Sequence, residues 1–344
     1  MEKRSVLTVY DIARIAKVSP ATVSRVLNRN PNVSLKTTRK VNEIITGTGF
    51  KPRWKAGGSK IIGILLPDFD GMLADPYIAA IISVVYDLLK KEEYSMELLC
   101  PEKVKLNPHC HCSLGTNHQL NGMVAVSAPH NYKFCENLLA NSADFPCVVI
   151  GKLTGDVPDR TSGFNHILSN DYTAGYQLGT LLARHNHRSF LLVTANRQDI
   201  CHLHRLEGII AALRKYGVPD DKMQIREVRE MLRQNGEQIA TGLACGGKVP
   251  DVAVFTQGNI CLGFVRGCQS MKLRIPDDFS VATFADDDEF AYTNPPITTM
   301  NSPTAKIGEQ VVQALLAQIN QVTVKESGLI PHVLHNRHSI ATRT

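Results

Sequence analysis

VYDIARIAKVSPATVSRVLN, residues 9–28, reads as two short helices joined by a tight turn. Thr8 ahead of Asp11 makes a capping box, and Val9, Ile12, Ala13 and Ala16 then fall on one face at helical spacing. Lys17-Val18 breaks the pattern. Ser19-Pro20 restarts it, with a serine at the N-cap and proline at the first helical position. From Pro20 to about Asn28, Val23, Val26 and Leu27 give the second helix an apolar side and leave Ala21, Thr22, Ser24 and Arg25 outside. A third helix starts after Ser34, runs through LKTTRKVNEIIT and ends near Gly47 and Gly49, with Val41, Ile44 and Ile45 inward.

The charge distribution gives this head a partner class. Residues 1–60 hold thirteen Lys/Arg and three Asp/Glu, a net of +10; the remainder carries 25 basic and 29 acidic residues, a net of −4. A basic tail that was merely solvated would lack the Val, Ile, Leu and Ala found here at helical spacing. The concentration therefore marks a folded unit for a nucleic acid or an anionic surface. Small outward side chains let a second helix lie deep in a major groove, where the Arg25 fork matches guanine O6 and N7. Pro20, Ala21, Thr22, Ser24 and Arg25 are the candidate base-reading set. Thr8, Tyr10, Ser19, Asn28, Ser34 and Thr37 stand at helix starts and ends, where phosphate contacts fall. Ser19 and Ser34 have a second reading as capping residues only.

The run from Thr8 to Pro52, with Asp-Ile-Ala, Val-Ser and Thr-Val-Ser-Arg-Val-Leu-Asn in order, resembles the DNA-binding headpiece of the LacI/GalR family of bacterial transcription regulators. The resemblance implies that Ala21 and Arg25 read operator bases, with Pro20 beside them and Thr22 and Ser24 on the docking face.

From Ile61 onward short apolar runs alternate with longer amphipathic ones. Strands are expected at Ile61–Leu66, Met96–Leu99, Met123–Val126, Cys147–Ile150, Phe190–Val193, Val252–Phe255 and Ser280–Phe284. Helices are expected at Tyr77–Lys91, Ala174–Arg184, Leu206–Tyr216, Gly236–Ala244 and Ile260–Met271. Buried strands alternating with helices imply parallel sheets covered on both faces, here in too great a number for one sheet. The fold class is thus an all-α helix-turn-helix head followed by an α/β body of two doubly wound parallel-sheet lobes. Ligands in such sheets bind beyond the carboxyl ends of the strands. The boundaries are 1–52 for the head, 53–60 for a short basic hinge and 61–344 for the body. One lobe takes about 61–165 plus 295–325, the other about 166–294 plus 326–344.

The family resemblance extends over the body, through DPYIAAII, SNDYTAGYQLGTLLARHNHRSFLLVTA, RLEGIIAAL and PPITTMNSP. It implies a body similar to periplasmic sugar-binding proteins, a homodimer on a near-palindromic operator in double-stranded DNA, and a small-molecule effector between the lobes. Carried over position by position, Tyr77, Arg205, Met231, Asn259 and Asp286 are the candidate effector residues. Arg205 would hold effector oxygens; its alternative is a surface salt bridge. Two departures from the family pattern stand out. Ala285 replaces the first aspartate of the usual Gly-Phe-Asp-Asp, and DICHLH, residues 199–204, lacks the small residues that usually precede the arginine.

The joint between head and body departs further. The family follows this proline with a short hinge helix whose leucine enters the minor groove, but here Ala56 leads into Gly57-Gly58 and no leucine precedes Leu65. Two readings stand: a passive tether, or a basic arm of Arg53, Lys55 and Lys60 with Trp54 as the wedge.

Other functions find less support. His109, Cys110, His111, Cys112 and His118 include metal-binding residue types, but without the paired spacing of structural zinc sites, so neither metal nor cofactor is expected. That segment stands where a variable surface helix or loop is expected. No GxSxG, HExxH, Walker loop or GxGxxG after a strand appears, so the chain does not read as an enzyme. Nine cysteines without dense spacing read as reduced thiols. Tyr77–Tyr86, the longest apolar stretch, is too short to span a bilayer, and the N-terminus lacks an export signal. The expectation is cytoplasmic, with no membrane partner. A free-standing receptor and a non-specific DNA binder remain the rivals.

Overall fold

The computed structural model describes residues 7–27, 32–48, 50, 60–67, 73, 75–99, 104–107, 110–114, 118–126, 131, 133–135, 137–138, 145–151, 165–195, 200–246, 248–285, 288–322 and 328–343. Asn28, Arg53, Trp54, Lys55, Asp286 and His109 lie outside these residues.

The head is three helices, α1 (Val9–Ala16), α2 (Pro20–Leu27) and α3 (Leu35–Thr48). Ile12, Ala16, Val23, Val41 and Ile45 meet in a core of their own, to which Phe50 adds a ring. Lys17 ends α1 in the left-handed region, at φ 52°, and its N–H is donated back to carbonyls of that helix. This residue makes the turn into α2.

In the first lobe, β1 (Ile61–Leu65) leads into α4 (Pro76–Lys91) and β2 (Ser95–Leu99). A separate antiparallel sheet follows, formed by β3 (Val104–Asn107), β4 (Cys110–Leu114) and β5 (His118–Gln119). The variable helix or loop expected around residues 109–118 is thus corrected to strands. Their side chains lie outside the described ones. The main sheet is completed by β6 (Gly122–Val126), β7 (Cys147–Ile150) and β8 (Asn165–Ile167), in the order β2-β1-β6-β7-β8, all parallel. β6 and β7 are buried along their whole length, which their unbroken apolar sequence requires.

The second lobe runs α5 (Asp171–Arg184), β9 (Phe190–Thr194), α6 (Ile200–Lys215), β10 (Met223–Glu227), α7 (Arg233–Ala244), β11 (Val252–Phe255), α8 (Gly258–Ser270) and β12 (Ser280–Ala285). β13 (Thr298–Asn301) and β14 (Val333–His335) finish its sheet, in the order β10-β9-β11-β12-β13-β14. Only β14, at the edge, runs antiparallel to its neighbour. Helix α9 (Thr304–Ile319) returns to the first lobe and packs Ile307, Val311 and Leu315 into its core.

The lobes therefore exchange the chain three times: from β8 to α5, from β13 to α9, and from Ile330 to β14. The second crossing corrects the sequence boundary. Thr298–Asn301, assigned with 295–325 to the first lobe, pairs with β12 in the second. Two threonines and an asparagine that look unlike a buried strand are accommodated because Arg337 donates its side-chain N–H to the Thr299 hydroxyl (2.8 Å) and its backbone N–H to that of Thr298 (2.9 Å). Between the first and third crossings, Ser169 and Ile330 form an isolated parallel bridge.

The close approach of α5 to α6 sets where Arg205 lies. A Cβ on Gly175 would collide with the Arg205 carbonyl oxygen, and one on Gly208 with that of Tyr172. Two glycines facing each other's helix let the backbones touch. Arg205 is thereby held with its side chain directed at the carboxyl end of the second sheet.

Candidate functional site

Each head helix start is built from hydroxyls. The Thr8 backbone N–H donates to Asp11 Oδ2 (2.9 Å), the Thr8 hydroxyl donates to the same oxygen (2.7 Å), and the Asp11 N–H donates to Thr8 Oγ1 (3.3 Å). These hydrogen bonds, reinforced by Arg14, hold the Asp11 carboxyl below its ordinary pKa. Ser19 Oγ accepts the Thr22 N–H (3.0 Å) and lies 2.8 Å from Thr22 Oγ1. Ser34 Oγ repeats the arrangement with the Thr37 N–H (3.2 Å) and Oγ1 (2.9 Å). Thr8, Ser19 and Ser34 thus have a capping role, with Thr37 bonded to Ser34. Thr22 is drawn half-inward to its serine instead of standing fully on the outer face.

What α2 presents outward is Pro20, Ala21, Ser24 and Arg25, all exposed, beside an inner face of Val23, Val26 and Leu27 that is buried. Among the described residues no carboxylate pairs with Arg25. Tyr10 is 74% exposed at the start of α1. An exposed, small-residue ridge with one guanidinium can enter a groove and donate two parallel hydrogen bonds to a guanine edge.

In the body, Arg205 is neither at the surface nor unengaged. It is 7% exposed, with its guanidinium carbon 4.9 Å from the centre of the Phe284 ring. Its Nε donates to Asp171 Oδ1 (2.8 Å), Nη1 to the Thr256 carbonyl (2.9 Å) and Nη2 to Ser302 Oγ (3.3 Å). The surface salt bridge considered from sequence is corrected to a buried one. Asp171 also accepts from the Ser169 hydroxyl (2.6 Å), and His332 Nε2 lies 3.1 Å from its Oδ1. Burial alone would push this carboxyl up. The Arg205 charge, with His332 and Ser169, overrides that and holds it well below the usual carboxylate range. Asp171, Ser302, His332 and Thr256 escape the sequence reading. SNDYTAG displays Asp171, whereas nothing in IPHVLH singles out His332.

The other effector candidates are spread over both lobes. Tyr77 lies in the first turn of α4, half-buried against the first-lobe core; its N–H donates to the capping Asp75 carboxylate (3.1 Å). Burial raises the pKa of Asp75 despite that bond and a second from the Ile78 N–H. Asn259 stands in the first turn of α8, just past the carboxyl end of β11, beside the capping Gln257. Met231 is 40% exposed on the loop ahead of α7. Ala285, the departure from the aspartate pattern, is buried at the end of β12 among apolar residues, near Gly258 and Phe290. A carboxylate there would enter an apolar pocket. Arg205, Asn259 and Ala285 thus gather at one sheet edge, with Tyr77 on the other lobe. Among the described residues no group of three His, Cys, Asp or Glu side chains could hold a metal ion, and no helix is long and apolar enough to cross a membrane.

Comparison with known proteins bears on both parts. Residues 8–53 match the family described as bacterial regulatory proteins, lacI family, and residues 180–340 match the periplasmic binding protein-like domain. The chain thus carries a lacI-family helix-turn-helix domain followed by a periplasmic binding protein-like domain. Among curated relatives, the HTH-type transcriptional repressor PurR of Histophilus somni (strain 2336) is 24% identical over 324 residues, spanning 91% of this chain and 92% of its own. Catabolite control protein A of Priestia megaterium is 25% identical over 345 residues, spanning 97% and 99%. The solved lac repressor dimer, bound to operator and the anti-inducer ONPF, superposes with a TM-score of 0.66 at 21% identity over 97% of this chain and 99% of its own. That likeness is one of fold. By name, PurR is a transcriptional repressor and Catabolite control protein A a control protein.

Proposed function

We propose that this chain is a sequence-specific regulator of transcription, acting as a repressor, with DNA binding controlled by a small molecule held between the lobes. The observation that carries the reading is the α2 ridge: a capped, independently cored helix pair exposes Ala21, Ser24 and Arg25 on the most basic part of a chain whose head matches the lacI family. Two heads in a homodimer would address two half-sites of a near-palindromic operator. Pro20, Ala21, Ser24 and Arg25 read bases, with Thr22 fixing the helix start, and Tyr10 reaches phosphate. The effector, a sugar or related metabolite, sits beyond the carboxyl ends of the strands, near Tyr77, Asn259 and Met231. It shifts affinity for DNA only through unequal affinity for two lobe arrangements. No catalytic role is assigned, and the cytoplasm is the compartment where such a protein meets DNA.

The test is an operator selected from random duplexes by the full chain, followed by anisotropy titration of single-base variants. Arg25→Ala should erase discrimination at one base position per half-site, by about 1–3 kcal/mol. Uniform weakening on every duplex would replace base reading with phosphate contact, and the absence of any selected sequence would make the protein a non-specific binder. A thermal-shift screen of metabolites against the same preparation identifies the effector class.

A further inference from the structure

The three segments that pass between the lobes each deliver a polar side chain to one buried place. The first crossing brings Ser169 and Asp171, the second Ser302, and the third His332. Arg205, from α6 of the second lobe, lies among them. Its guanidinium donates to Asp171 and to Ser302 Oγ, and Ser302 Oγ lies 3.5 Å from His332 Nδ1. His332 Nε2 returns to Asp171 at 3.1 Å, which closes a ring of four side chains. Three of these four links are hydrogen bonds, and the fourth, between His332 Nε2 and Asp171 Oδ1, is a close contact without hydrogen-bond geometry. Phe284 lies against two members, edge-on to His332 with ring centres 6.0 Å apart and beneath the Arg205 guanidinium.

We propose that this ring is the clasp of the interlobe hinge, with Asp171, Ser302, His332 and Arg205 as positioning residues that make the three crossings move as one. The backbone supports this. The Asn170 N–H donates to the Ile330 carbonyl (2.8 Å) and the Ile330 N–H to that of Leu168 (2.9 Å), so the first and third crossings already form a ribbon. Neither bond reaches the second crossing, which meets the third where Asn301 pairs with Val333 and is tied to the cluster through Arg205 and His332 onto Ser302. Arg205 is itself tied to the second lobe by the Thr256 carbonyl at the end of β11. A change in lobe angle that displaced one crossing would therefore break bonds made by the other two. Low-dielectric burial makes those bonds costly to break singly. The clasp gives the regulator proposed above a mechanism for switching between two discrete arrangements. It rests on that reading for its use but not for its existence.

The test uses the full chain without DNA or effector, so its failure is separate from a failure of the regulatory function. Backbone hydrogen exchange is followed by mass spectrometry in peptides covering 168–171, 301–305 and 328–333. Ser302→Ala, which alters only the second crossing, should accelerate exchange in the other two by roughly tenfold while β6 and β11 stay protected. His332→Gln should accelerate the second crossing likewise. Acceleration confined to the substituted segment, or equal acceleration throughout the sheets, would overturn the clasp and leave these residues as local packing. Should either variant fail to fold, the remaining one decides by the same comparison.

Discussion

Removing the Arg205 charge tests the physics of the buried cluster directly. Methionine keeps most of the apolar stem in place, so the change is chiefly electrostatic. Three donated hydrogen bonds disappear, and Asp171, 5% exposed, keeps only Ser169 and His332. Leaving one partner of a buried ion pair unmatched costs about 3–5 kcal/mol. In the wild type the Asp171 pKa is held below its ordinary value. The stability it contributes is fully present above about pH 4 and is lost as pH falls through the lower folded value. In Arg205→Met burial dominates instead and the sign reverses, so the carboxyl destabilises progressively as pH rises above its unfolded value. The deficit relative to wild type should therefore be largest near pH 7.5 and shrink towards pH 5, by up to about 1.4 kcal/mol per pH unit. The assay is equilibrium urea unfolding of the full chain, followed by circular dichroism at both pH values. Adding Asp171→Asn to Arg205→Met should recover part of the loss. A deficit under about 1 kcal/mol at pH 7.5, or one independent of pH, would refute the account of a paired buried charge.

Three further changes probe the surrounding frame. Gly175→Ala sets a methyl against the Arg205 carbonyl and should destabilise by about 1–3 kcal/mol in urea unfolding; an unchanged midpoint would show that α5 and α6 separate freely. His187 is buried between the Leu182 carbonyl (2.9 Å) and Ser280 Oγ (2.8 Å), and burial lowers its pKa. Its neutral form is favoured in the fold, so stability should decline as pH falls below about 6.5, and His187→Gln should flatten that slope in thermal melts. Lys17→Gly relieves a left-handed backbone at the turn of the head and should stabilise it by about 0.5–1 kcal/mol, read from helix melting.

The head is almost wholly legible because its signals are local: a capping box, a Ser-Pro start and 3.6-residue spacing all lie within a few residues of what they determine. The buried strands of both lobes read as clearly, since β1, β6, β7, β9, β11 and β12 are apolar runs. β10 hides because it is an edge strand with most of its side chains exposed, as MQIRE shows. β13 hides for the opposite reason, a buried strand whose threonines are satisfied by Arg337, thirty-odd residues away. α9 shows a full helical pattern at Ile307, Val311, Val312, Leu315 and Ile319, so nothing physical conceals it. At the candidate site, Arg205 is conspicuous in sequence, but its partners come from residues 171, 302 and 332, and no local pattern links positions so far apart.

The threefold exchange of chain between the lobes also bears on how the protein is made. The first lobe lacks α9 until residue 319 has been synthesised, and the second lacks β14 until residue 335. Even then Ser339 has still to donate to the Val281 carbonyl (2.6 Å) and Arg343 to that of Pro276 (2.9 Å). The head, by contrast, has its core complete at Phe50. A nascent chain on the ribosome thus carries a folded DNA reader long before its sensor can close, and it carries unpaired parallel strands for most of its synthesis. Such long-range pairing is slow to form and prone to aggregation. Premature termination within the last tenth of the sequence should accordingly yield not a shortened sensor but a competent head fused to an unfinished body.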